Sequence, residues 1–204
     1  MGWSVALACA SIGEPGVVFR PGLENDGRAA LDLARRLYPA STVEDAGETV
    51  LDFALWPYDD ELFIGVYDRA LIVCDRRLCG LDEGARGIAD AIASALPGSG
   101  CGVLVLHGEA RGCWFRRYAG GALVRDVYLT AEDGIVVDQG EPLPAEVPYR
   151  ETIAGGAEDV PLPFDPEEYG LALAADHLFG HELAARGSDG FLPLELPLRR
   201  FRLA

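Results

Sequence analysis

The chain has 204 residues, half of them apolar, and a net charge of −16 from 33 acidic and 17 basic side chains. That excess repels phosphate backbones and anionic lipid, which argues against nucleic-acid and membrane-surface partners. Every basic residue is arginine, which excludes Schiff-base chemistry and a phosphate-loop lysine.

Trp3–Ala10 is a near-continuous apolar run of strand length. Such a run suits a strand buried on both faces near the middle of a sheet, and no basic region precedes it as in a signal peptide. After a Gly- and Pro-containing loop, Asp26 is positioned to cap a helix over Gly27–Tyr38, with Leu31, Ala34, Leu37 and Tyr38 as its apolar stripe and Pro39 as its stop. Residues 42–58 read as two short strands, Ser41–Glu44 and Thr49–Ala54, around an Asp45-Ala46-Gly47 turn. Leu62–Tyr67 and Ala70–Asp75 flank Asp68-Arg69 as a hairpin.

A second helix spans about Glu83–Leu96, capped by Asp82 and ended by Pro97-Gly98. Four successive strands then follow: Cys101–His107, Cys113–Ala119, Ala122–Leu129 and Ile135–Asp138. Their short connections, Gly120-Gly121 above all, force antiparallel pairing. Residues 139–164 carry five prolines, and Glu132–Gly170 holds eleven acidic residues against one arginine, so an extended acidic segment packed over the sheet is expected. Asp165-Pro166-Glu167-Glu168 starts a third helix with a capping Asp and Pro at the first helical position. That helix is expected to run to about Gly187. In the tail, Pro193 and Pro197 confine Phe191–Leu198 to an edge or an irregular path. The expectation is a single α+β domain over residues 1–204: a largely antiparallel sheet, three main helices and a Pro-rich C-terminal segment wrapping it. A chain of this length buries about 70% of its unfolded surface and needs no disulfide or metal.

Candidate chemistry is sparse. The cysteines are Cys9, Cys74, Cys79, Cys101 and Cys113. An odd number, several within apolar strands, points to reduced thiols and a cytoplasmic protein. Cys74 and Asp75 end a predicted strand, and with His107 as base either would serve a small hydrolase-like enzyme. The competing reading is a buried thiol followed by a charged turn. His177 and His181 are four residues apart, which on one helix face suits two metal ligands. The competing reading is a pair of surface histidines on the C-terminal half of a helix. His107-Gly108-Glu109 lacks the cysteine pair of a zinc deaminase. Arg199-Arg200-Phe201-Arg202 suits an acidic partner or phosphate, or the chain's own acidic 132–170 segment. No cofactor is expected. With no complete catalytic constellation, the leading reading is a non-enzymatic binding or regulatory protein acting on another protein.

A series of short motifs runs along the whole chain: Met1-Gly2, Val73-Cys74-Asp75, Leu123-Val124-Arg125, Gly140-Glu141-Pro142-Leu143-Pro144, Glu146 and Pro148-Tyr149. It continues with Leu162-Pro163-Phe164, Pro166, Glu168, Gly170, Leu178-Phe179-Gly180, Pro197-Leu198 and Phe201-Arg202. In series these resemble an uncharacterised family of actinobacterial domain-of-unknown-function proteins. The chain departs from that pattern at Arg150, where the family has an aromatic residue, and at His181, where it has an apolar one. The resemblance implies one domain and brings no activity. Ile64–Arg77 separately resembles the first hairpin of N-terminal-nucleophile hydrolases, but Met1-Gly2-Trp3 offers no Thr, Ser or Cys nucleophile.

Overall fold

The computed structural model describes residues 2–80, 83–155 and 161–204; the Asp82 cap and Met1 fall outside them. Strand β1 (Val5–Ser11) is buried along its whole length. It is the middle strand of a nine-stranded sheet whose order is β2-β9-β3-β4-β1-β5-β6-β7-β8. The other strands are β2 (Val43–Val50), β3 (Glu61–Val66), β4 (Ala70–Asp75), β5 (Gly100–His107), β6 (Gly112–Ala119), β7 (Ala122–Thr130), β8 (Gly134–Gln139) and β9 (Pro197–Leu203). All neighbours pair antiparallel. The continuous apolar run of β1 follows from its place, because helices cover both faces of the central strands.

Alternating side chains sort into two cores. Ala6, Ala8 and Ala10 face α2 (Gly27–Leu37) and α3 (Glu83–Ala95), together with Ile64, Val73, Val103 and Trp114. The small alanines let both helices approach the middle of the sheet closely. Val5, Leu7 and Cys9 face the other side, with Cys74, Leu104, Phe115 and Val127, under α1 (Pro15–Val18) and α5 (Pro166–Ala174). Asp26 caps α2 by accepting from Arg28 N and Ala29 N. The buried stripe of that helix is Ala30, Leu33 and Ala34, with Leu31 only partly covered.

The α+β class and the antiparallel sheet hold, but the expected helix content is corrected. There are five α-helices among the described residues, not three main ones. One of them, α4 (Val147–Gly155), lies within the Pro-rich segment expected to be extended. The third expected helix ends early. After Ala174 the chain makes a π turn through Phe179, and Gly180 (φ 67°) terminates it. A Cβ on Gly180 would come within 2.3 Å of the Gly16 backbone, so only glycine permits both the positive φ and this crossing. The C-terminus is corrected in part: residues 191–196 take the irregular path expected, with a 3-10 turn over Pro193–Glu195. β9 is not an edge strand but lies between β2 and β3, with Pro197 tolerated as its first residue. Among the described residues no helix is long and apolar enough to cross a membrane.

Candidate functional site

Four strand ends meet at one end of the sheet: the start of β1, the ends of β4 and β5, and the start of β6. His107 closes β5 there. Its ring stands edge-on to Trp56, 5.5 Å between centroids, and the Arg76 guanidinium covers that indole at 3.8 Å. Burial lowers the His107 pKa, the Arg76 charge lowers it further, and a hydrogen bond to the Cys79 backbone carbonyl partly offsets both. Burial and the neighbouring guanidinium both favour the uncharged ring.

A cleft of about 290 Å³ opens beside it, lined by Gly2, Trp3, His107, Arg111, Asp165 and Glu167 among others. The α5 cap supplies the opposite wall. Asp165 Oδ1 accepts from Glu167 N at 2.9 Å, and its Oδ2 lies 3.6 Å from Arg111. Glu167 Oε2 accepts from Trp3 N at 2.6 Å. Arg111, a non-glycine residue at φ 44°, brings its side chain from the β5–β6 loop.

Cys74 and Asp75 are consecutive in β4 and therefore point to opposite faces. Cys74 lies fully buried against the α5 side, the face away from Asp75 and His107, so strand parity separates it from the histidine proposed as its base. Burial drives its thiol well above the ordinary range. Asp75 is 2% exposed; it accepts a very short hydrogen bond from the Tyr38 hydroxyl and one of 2.9 Å from Arg77 N. Burial raises its carboxyl pKa to about 6. Burial likewise pushes Cys79 up to about 11 and Cys101 to about 12, and raises Cys9 and Cys113 well above their usual range. Nucleophilic sulfur requires thiolate, and none of these environments favours it near neutral pH.

His177 and His181 part company at Gly180. His177 lies on the π turn, 6.1 Å from the Phe115 ring, and burial lowers its pKa. Its Nε2 is 3.2 Å from Asp176 Oδ2 but is not aligned for a hydrogen bond. His181, past the left-handed turn, packs its ring 5.1 Å from Phe191. Among the described residues no group of three or more His, Cys, Asp or Glu is arranged to hold a metal. The C-terminal arginines pair with β2 and β3 rather than with the acidic 132–170 segment: Arg199 bonds Asp45 and Glu48, and Arg200 bonds Glu61.

A groove of about 550 Å³ adjoins the cleft and shares Trp3 with it. Leu171, Ala172 and Ala175 of α5 and its π turn form the floor with Leu183; Tyr149 stands at one side, and Glu168 and Glu182 also line it. The lining is mainly apolar.

The main polar constellation missed from the sequence is buried. Arg125 and Glu146 are both fully enclosed and joined by two parallel bonds of 2.7 Å. Arg125 also donates to Gln139 O and meets Asp138 at 2.7 Å; Glu146 also accepts from Leu143 N and Arg150. Both residues belong to the motif series quoted above, and an arginine inside an otherwise apolar strand is itself a signal of a buried partner. The cleft residues Arg111, Asp165 and Glu167 left no such mark, since Asp165 and Glu167 read as helix-capping chemistry alone.

A family model described as a family of unknown function, DUF6928, matches residues 4–201. No curated protein and no solved structure matches the chain.

Proposed function

We infer that this chain, which belongs to that family of unknown function, DUF6928, is a binding protein that acts through contact with another protein. The carrying observation is the 550 Å³ groove with an apolar floor and the two carboxylates of Glu168 and Glu182. Its occupant is a partner segment in which apolar residues alternate with basic ones. Leucine- or phenylalanine-sized side chains cover Leu171, Ala172 and Leu183, and the basic groups meet the two glutamates and the field of a chain carrying −16. The raised thiol pKa values and the separation of Cys74 from His107 favour binding over nucleophilic chemistry. The same charge weighs against nucleic acid, and five free cysteines suit a reducing, cytoplasmic setting.

A synthetic hexapeptide array combining leucine, phenylalanine, arginine, lysine, serine and aspartate tests this directly. The expected bound set is rich in apolar-plus-basic sequences, and Ala172→Arg, placed in the groove floor, abolishes it. An array with no binders, or a bound set indifferent to charge and to Ala172→Arg, removes the reading.

A further inference from the structure

We propose that the hollow between the turn at residues 20–23 and residues 190–197 binds a carboxylate carried on a small apolar body. It lies at the sheet end that holds the β3–β4 turn, opposite the cleft, and does not depend on the groove. The local chain builds one wall. Pro21 and Gly22 form the middle of a turn, with Gly22 at φ 79°. Proline second and a positive-φ glycine third suit a type II turn. Such a turn brings its first and fourth residues together, here a guanidinium, Arg20, and an apolar side chain, Leu23. Nothing lies within 4 Å of the place a Gly22 Cβ would take, so the turn stays open. Its position is fixed just downstream, where Asn25 Oδ1 accepts from Val66 N and Asp26 N donates to Val66 O.

Phe191, Leu192 and Pro197 form the facing wall of this hollow of about 330 Å³, a volume at the lower end of small-molecule pockets. Charge decides the ligand class. Glu195 also lines the hollow, but Arg186 occupies both of its carboxylate oxygens with its two terminal nitrogens. Arg20 has no ion pair and no side-chain hydrogen bond among the described residues. The hollow thus carries an uncompensated positive charge within a chain of −16. An adjoining hollow of about 100 Å³ shares Arg20 and Leu23; there Asp68 and Arg69 offset each other, and Val17 and Val18 extend the apolar surface. A guanidinium with its donors unspent recognises a carboxylate through two parallel bonds. The apolar walls favour a body without a second charge.

A free organic acid and the C-terminal residue of a polypeptide both present this chemistry, and the experiment separates them. The probes are 4-methylpentanoate, phenylacetate, their amides, and N-acetylated Ser-Gly-Ser-Leu with a free or an amidated C-terminus, each titrated calorimetrically. A carboxylate form is expected to bind at least about tenfold more tightly than its amide. Arg20→Gln is expected to erase that difference with an unchanged melting temperature, and Arg20→Lys to retain part of it. Binding of the acids alone supports a small-molecule ligand; binding of the peptide alone supports a chain terminus. No carboxylate bound at millimolar concentration, equal binding of acid and amide, or an Arg20→Gln variant that binds as wild type overturns the proposal. Inorganic phosphate bound as tightly as the acids overturns it in favour of a simple anion site. A lowered melting temperature of Arg20→Gln gives Arg20 a structural role and overturns its availability.

Discussion

Two polar clusters flank helix α5, and they differ in completeness. At the β7–β8 end, Arg125 and Glu146 lie fully buried with their hydrogen-bonding capacity met by each other, by Asp138, Arg150, Leu143 N and Gln139 O. At the sheet end, Asp165 and Glu167 line an open cleft, each with one carboxylate oxygen accepting from a backbone N–H and neither of them enclosed. A saturated buried network fixes geometry: here it fastens the Gly140–Pro144 turn against β7. An unsaturated, accessible one retains capacity for a ligand. The contrast teaches which charges hold the fold and which remain available, a distinction that composition alone does not make.

The sharpest test of that contrast is Glu146→Ala. It strands the Arg125 guanidinium in the interior and is expected to cost about 3–5 kcal/mol, read by urea unfolding. A loss below about 1 kcal/mol would mean the pair is not enclosed as described.

Asp75 gives the next largest effect. Its carboxyl pKa is raised to about 6 in the fold by burial, against about 3.9 in an unfolded chain. The folded state therefore holds the proton more tightly, and stability falls as pH rises from about 4 to about 6, by on the order of 2–3 kcal/mol. Asp75→Asn should remove that slope, raising stability at neutral pH while leaving it unchanged in acid. Glu146 runs the opposite way. Burial alone would raise its pKa, but the Arg125 bonds hold it below the usual range, so its contribution is present above the unfolded pKa and is lost as pH falls through the folded one. A pH titration of wild type, Asp75→Asn and Glu146→Gln separates the two slopes.

Arg150→Ala removes the exposed arm of the same network, paired with Asp138 at 2.7 Å. With this side chain part exposed, the expected loss is about 0.5–1 kcal/mol by thermal unfolding. Smallest of all is Glu167→Gln in the cleft, within about 0.5 kcal/mol of wild type. A large destabilisation there would make the cleft a second structural network and erase the distinction.

Much of the architecture is legible in the chain. The apolar run from Trp3 places β1 at the centre, because only a strand covered on both faces can lack polar positions. The meander from Cys101 to Asp138 shows in its alternation and glycine turns, and the caps at Asp26 and Asp165 are local chemistry between residues two or three apart. The side-chain pattern of the third helix continues past Phe179, so the sequence by itself sets no stop there. What stops it is the crossing of Gly180 over Gly16, from the other end of the chain. The slot of β9 was equally hidden, since β2 and β3 lie some 150 residues earlier and nothing local in the Arg199–Arg202 run names them as partners.

The candidate site divides the same way. Strand parity alone sets Cys74 and Asp75 on opposite faces, and the sequence suffices for that. His107 as a polar strand end is also visible in it. That His107 should line a cleft with Trp3, Arg111 and Glu167 depends on the fold, which carries the start of α5 to the start of β1 across 164 residues of chain. Periodicity, capping and turn chemistry act over a few residues and can be read from the sequence. Which distant surfaces meet depends on the burial of both faces of the whole sheet at once, and only the tertiary structure decides it.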